Sequence, residues 1–445
     1  MRPHPTFSEA LRFWLKLGFI SFGGPTGQIA IMHTELVERR RWIGEERFLH
    51  ALNFCMLLPG PEATQLATYC GWLLHRTWGG IVAGALFVLP SSLLLWGLSY
   101  VYVTYGQLPW IAAAFNGLKP AVTAIVVAAT LRIGRRALKN RVLWGIAASS
   151  FVAIFFLHFP FPAIIATAAA VGFFGGRRWP ALFPASTGHA VASSGSVIDD
   201  SHGTIEHARP SFARALRVTM TCLALWWLPV IAIAGWQGGS GTLAKEAVFF
   251  SKAAMVTFGG AYAVLPYVGQ QAVEHYHWLS APQMLDGLGL AETTPGPLIM
   301  VVQFVGFLGG WNQPGNLSPL VAATLGAAIT TWTTFVPCFF WIFLGAPYIE
   351  QMRGNLNVSR TLTAVTAAVV GVIANLAVWF AGHALFPKSE IVLFGPTRSV
   401  EIHPDLVAIA VATAAFVAMH RFKVGVIPVV ITCAGLGLLR FAVAL

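Results

Sequence analysis

Two short motifs put helix-breaking residues inside apolar sequence, and both recur later in the chain. Gly23-Gly24-Pro25 lies in FISFGGPTGQ and Pro59-Gly60-Pro61 in LLPGPEAT, while Gly259-Gly260 and Pro295-Gly296-Pro297 interrupt the second half in the same way. Proline removes a backbone donor and glycine loosens the helix, so each break leaves N–H and C=O groups that hydrocarbon tolerates only against protein or around a polar cavity. A helix that restarts after a break aims unpaired N–H groups and its positive dipole end at that place, which is chemistry for holding an anion. Lys16 and Lys252, each shortly before its Gly-Gly, add fixed positive charge if they face the breaks, at roughly 3 kcal/mol for a lysine at membrane depth. The alternative is that both snorkel to a membrane face. Glu62 follows the first Pro-Gly-Pro and Glu292 precedes the second. A carboxyl there is either a proton carrier or a cap on a freed helix start. His50 and Asp286 are expected to be interfacial and solvated.

The elements that must carry these breaks are membrane helices. With 56% of 445 residues hydrophobic and 10% charged, the chain is a polytopic all-α membrane protein. The formal net charge of +11 sits in short connections, where Lys and Arg act as topology signals rather than as a nucleic-acid surface. Five cysteines stand singly at 55, 70, 222, 338 and 433, without metal-ligand or disulfide spacing. No metal, cofactor or catalytic residue is expected. The first-half apolar stretches are Ala10 to Met32, Phe48 to Leu74, Ile81 to Tyr105, Trp110 to Leu131, and Val142 to Phe174, the last broken at HFPFP. Those of the second half are Val218 to Trp236, Ala247 to Val268, Met284 to Gly310, Leu317 to Tyr348, Leu362 to Leu385, Leu406 to Met419 and Val424 to Val443.

The halves are copies. A separation of 236 residues pairs Phe13 with Phe249, Lys16 with Lys252, Gly23-Gly24 with Gly259-Gly260, Glu38 with Glu274, Trp42 with Trp278, and Pro59-Gly60-Pro61 with Pro295-Gly296-Pro297. This divides the chain into a first repeat, 1–175, a polar cytoplasmic linker, 176–217, a connecting span, 218–240, and a second repeat, 241–445. After the first break stands ELVERRRW, whose partner is QAVEHYHW. Short cytoplasmic loops keep Lys and Arg, so the three lost arginines set the copies facing opposite sides. The expected fold is therefore a duplicated inverted-topology repeat with paired broken or re-entrant helices, an architecture of secondary transporters.

The duplicated FGG…W…PGP pattern, with LLPGPEATQLATYCGW in the first half and ETTPGPLIMVVQFVGFLGGW in the second, resembles the chromate ion transporter (CHR) family in its long two-domain form. The likeness covers essentially the whole chain; Ala261 stands where the first copy has Pro25. The resemblance implies chromate efflux across the bacterial inner membrane and chromate resistance, with sulfate as the similar anion and no enzymatic step. Moving a dianion out of a negative interior gains roughly 4.6 kcal/mol per 100 mV. A sulfate importer or an oxyanion channel are the alternatives within transport. A membrane oxidoreductase is the weak alternative outside it, since neither a CxxCH nor a nucleotide fingerprint is present. No P-loop supports ATP drive. The expected partners are the oxyanion and the bilayer, without nucleic acid, and a homodimer is a candidate assembly.

Overall fold

In the computed structural model the described residues are 4–22, 24–56, 58–184, 197, 211–258, 260–349, 356–386 and 404–444, and among them the regular secondary structure is entirely helical. The first copy contains α1 (Phe7–Ile20), α2 (Gly24–His33), α3 (Glu45–Cys55), α4 (Glu62–Tyr105), α5 (Pro109–Ala137), α6 (Arg141–Phe155) and α7 (Phe161–Arg178). α8 (Phe212–Gln237) stands between the copies. The second contains α9 (Thr242–Val256), α10 (Ala261–Gln270), α11 (Ala281–Thr293), α12 (Val301–Asn312), α13 (Pro319–Ile349), α14 (Leu356–Leu385), α15 (Leu406–Arg421) and α16 (Val426–Ala444). Among the described residues six helices are long and apolar enough to cross a membrane, so the chain is a multi-pass membrane protein. α7 and α8 run further into the predicted linker than composition suggests. Arg177 and Arg178 close the last turn of α7, where cations suit the helix end, and most of the remaining linker, 185–196 and 198–210, lies outside the described residues.

Each copy opens with two hairpins. α1 is started by a capping box in which Thr6 and Glu9 satisfy each other's backbone donors. After the break α2 doubles back, bringing Trp42 against Phe13 at 5.5 Å, with the Arg40 guanidinium over both rings. α3 then runs to Pro59-Gly60-Pro61, and the first part of α4 returns to His75, which meets the Pro5 carbonyl beside the start of α1. α4 reverses there: His75 and Arg76 leave helical geometry, and Gly71 packs on Gly79 across the turn. The second copy repeats this plan. Trp278 lies 5.7 Å from Phe249, and Asn312 at the end of α12 donates to the Trp278 carbonyl at 2.8 Å.

The rest of α4 and α13 form an antiparallel pair at the centre. Gly80 packs on Phe343, Gly84 on Phe339, and Trp96 donates to Thr324. Residue 80 is next to the first copy's loop end and residue 324 next to the second's, so the two pairs of hairpins enter from opposite ends of this central pair. α5 packs against α14, α15 and α16, and α14 against α6 and α7, flanking the hairpins. The outer face of α8 leaves Met220, Leu228, Ile231 and Trp236 exposed, as a lipid-facing helix must.

The α4 reversal depends on the absence of a side chain at Gly71, where a Cβ would run into the Gly79 carbonyl and the Ala83 methyl. Gly71→Leu is expected to destabilise the protein by at least the 1–3 kcal/mol or so typical of overpacking. Gly97→Ala, which meets nothing within 4 Å, should leave the detergent melting temperature unchanged. Equal melting temperatures for both variants would contradict the packing.

Candidate functional site

The four broken tips meet, and backbone hydrogen bonds join them reciprocally. In each Pro-Gly-Pro the glycine is the one residue of the three with an N–H. Gly60 gives its N–H to the Thr257 carbonyl at 2.7 Å, and Gly296 gives its own to Ser21 at 2.8 Å. Ser21 and Thr257 share a repeat position, as do Gly60 and Gly296. The first copy's Pro-Gly-Pro therefore closes the second copy's Gly-Gly break, and the reverse.

Local geometry repeats with the same spacing. The Ser21 hydroxyl donates to Leu17 and the Thr257 hydroxyl to Ala253, both at 2.6 Å. Gly24 and Gly260 have φ of 68° and 93°, and Gly60 and Gly296 have 127° and 98°, all in the region that favours glycine. Pro90 and Pro337 lie inside the long helices, and the residue after each meets a tip glycine. A Cβ on Gly296 would lie 2.6 Å from the Ser91 Cβ, and one on Gly60 would lie 3.0 Å from the Cys338 Sγ.

The polar side chains at the crossing do not repeat. Gln28, buried, donates to the Gly296 carbonyl at 2.5 Å, and Gln65, buried, donates to Pro59 at 2.8 Å; Val264 and Val301 stand at their repeat positions. Both glutamine Oε1 atoms are buried without a hydrogen-bond partner. Glu62 opens α4 and reaches towards the α10 start, its Oε1 3.8 Å from where a Gly260 Cβ would be. Glu292, buried, accepts a hydrogen bond from the Tyr262 hydroxyl in the first turn of α10, and Arg132 of α5 lies within electrostatic range of both. Carboxylates from both copies thus converge on one helix start. Their counterparts by repeat are Leu298 and Met56, so the other crossing lacks them.

The proline and glycine candidates gather here: Gly24, Pro25, Pro59, Gly60, Pro61, Gly260, Pro295, Gly296 and Pro297, with Glu62 and Glu292 beside them. Gly23 and Gly259 lie outside the described residues. Lys16 and Lys252 have exposed side chains on α1 and α9. The amides of Gly60 and Gly296, expected to be open donors, are in fact engaged by the opposite copy, and the starts of α2, α4 and α10 bring further backbone donors to the crossing. Asp286 departs from its expected solvated setting. It is 4% exposed and accepts from the Tyr102 hydroxyl at 2.9 Å, because α5 and the long α4 cover this face of α11. The two glutamines, Tyr262 and Ser91 were missed; a glutamine inside an apolar stretch, four residues after Gly24, was the available signal.

A family model described as Chromate transporter matches residues 8–173 and 245–438. A chromate transport protein of Cupriavidus metallidurans is 29% identical over 389 residues, covering 86% of this chain and 84% of its own. One from Pseudomonas aeruginosa is 31% identical over 386 residues, covering 83% and 80%. A probable chromate transport protein of Synechococcus elongatus is 28% identical over 383 residues, covering 84% and 85%. No solved structure matches the chain.

The tip contacts generate a graded expectation. Gly296→Val meets a rigid Ser91 Cβ, whereas Gly60→Val meets the movable ends of Gln65 and Cys338. Both carry the strain of a positive φ, about 1–2 kcal/mol, and Gly296→Val adds about 1–3 kcal/mol of overpacking. Ser91→Gly should partly rescue Gly296→Ala in a double-mutant cycle read by thermal denaturation. Strictly additive effects would contradict the contact.

Proposed function

The chain belongs to the chromate transporter family, and on that premise we propose that it exports chromate across the bacterial inner membrane by a secondary mechanism, conferring chromate resistance. The observation that carries this reading is the crossing, where helix starts from both copies meet at a closed backbone junction. We assign the oxyanion, chromate or the similar sulfate, to the first-turn amides of α2, α4 and α10. The glutamine side chains of Gln28 and Gln65 brace the tips beside them.

Charge distribution supports an inverted placement in the bilayer. Arg39 to Arg41 lie at the first copy's loop end, and α5, returning from the far end of α4, brings Arg135 and Arg136 back to it. Arg135 meets His420 of α15, and Gly176 in the last turn of α7 packs on Arg360 of α14, so basic residues from both copies collect at that end. We place it in the cytoplasm. Arg353 lies outside the described residues.

Glu62 and Glu292 favour a coupled carrier over an open channel. An ionised carboxylate beside the α10 start repels a dianion, so loading the anion favours taking up a proton. Each proton carried outward removes one unit of exported charge. One proton leaves a gain of about 2.3 kcal/mol per 100 mV, and two make export electroneutral. Exposed Lys16 and Lys252 fit the role of interfacial anchors in this state.

Chromate flux from proteoliposomes, with membrane potential and pH gradient imposed separately, tests this. Flux should respond to the pH gradient in the wild type, and its response to the potential reports whether one proton or two accompany the anion. Glu62→Gln or Glu292→Gln should lose the pH response and keep chromate binding. Lys16→Ala and Lys252→Ala should lose less flux than Gly296→Val. Flux indifferent to both gradients, or absent for chromate and sulfate alike, would contradict the proposal.

A further inference from the structure

Glu246, in the second turn of α9, is fully buried, and neither of its carboxyl oxygens has a hydrogen-bond partner. Glycines surround it. A Cβ on Gly326 of α13 would lie 2.8 Å from Glu246 Oε2, and one on Gly309 of α12 would run into Oε1. The Thr330 hydroxyl, against Gly306, and the Trp278 indole N–H, whose ring covers Gly309, are also buried without partners. At the repeat position of Glu246 the first copy has Ala10. The feature thus belongs to one copy alone and is unrelated to the shared break geometry.

Among the described residues the neighbouring elements bring no cation to balance a carboxylate. α12 contains no ionisable residue, and α13 contains only Cys338 and Tyr348. α8 faces α9 through Trp226 and Val230. α10 and the segment after it bring Tyr267 and Tyr276 against Phe249, and Glu274, His275 and His277 of that segment have exposed side chains. On α9 itself Lys245 and Lys252 are exposed. An ionised, unpaired carboxylate in such a niche is strongly unfavourable, whereas a protonated one fits.

We propose that Glu246 is a proton-binding site that locks the contact of α9, α12 and α13 while protonated and releases it on ionisation. α9 leads directly to Thr257, which accepts the Gly60 amide, and α12 follows the Pro297 break. A carboxylate formed here must be hydrated, and glycines at the helix contacts let water and backbone separate there without displacing large side chains. Loss of this proton therefore loosens the loop end of the second copy's hairpins. This site is independent of which ion is carried and of the roles given to Glu62 and Glu292.

Hydrogen–deuterium exchange of the full chain in lipid nanodiscs without added oxyanion, corrected for intrinsic chemical rates, tests the lock. In the wild type, peptides covering 303–312 and 320–332 should show a step to faster exchange as pH rises. Glu246→Gln stays neutral at every pH and should lose that step; Glu246→Asp should keep it at a shifted pH. The same step in wild type and Glu246→Gln would overturn the proposal. Should Glu246→Gln fail to assemble, a step in Glu246→Asp at the wild-type pH would overturn it equally.

Discussion

The structure depends on one constraint: backbone broken inside a bilayer must be satisfied by other protein. Two hydrogen bonds do this for the Pro-Gly-Pro tips, from Gly60 to Thr257 and from Gly296 to Ser21. Because each joins a break in one copy to the complementary break in the other, neither copy can close its own tips. The hairpins, the glycine contacts on Ser91 and Cys338, and the antiparallel pairing of α4 with α13 all hold those tips in reach. Reciprocity of this kind is the mark of a two-fold relationship, in which contact i to j implies contact j to i.

On that frame the polar side chains do not repeat. Glu62, Glu292, Tyr262, Gln28 and Gln65 have apolar or unrelated residues at their repeat positions, and Glu246 has Ala10 at its own. Of the two junctions, among the described residues that of Gly60 with Thr257 alone has carboxylates beside it.

Much of this was legible from the order of residues. The breaks recur at a constant spacing because tip geometry tolerates no insertion, and the all-helical membrane class follows from composition. The pairing of Pro90-Ser91 with Pro337-Cys338 was hidden because the turn before α13 is longer than the reversal at His75, which shifts the spacing after the tips. The link from Gln28 to Gly296 joins residues 268 apart, and no local pattern announces it. Asp286 was misjudged because a single charged residue near the start of an apolar stretch carries no sign of the helices that cover it.

The central claim is that the oxyanion sits at the crossing, and the most direct measurement is an experimental density map of the reconstituted protein with and without chromate. Difference density for a tetrahedral anion against the first turns of α2, α4 and α10, close to Gly60 and Gly296, is the result this account requires. Anion density confined to the basic stretch from Arg135 to Arg141, with the crossing unchanged, would contradict it and leave the breaks as packing hinges.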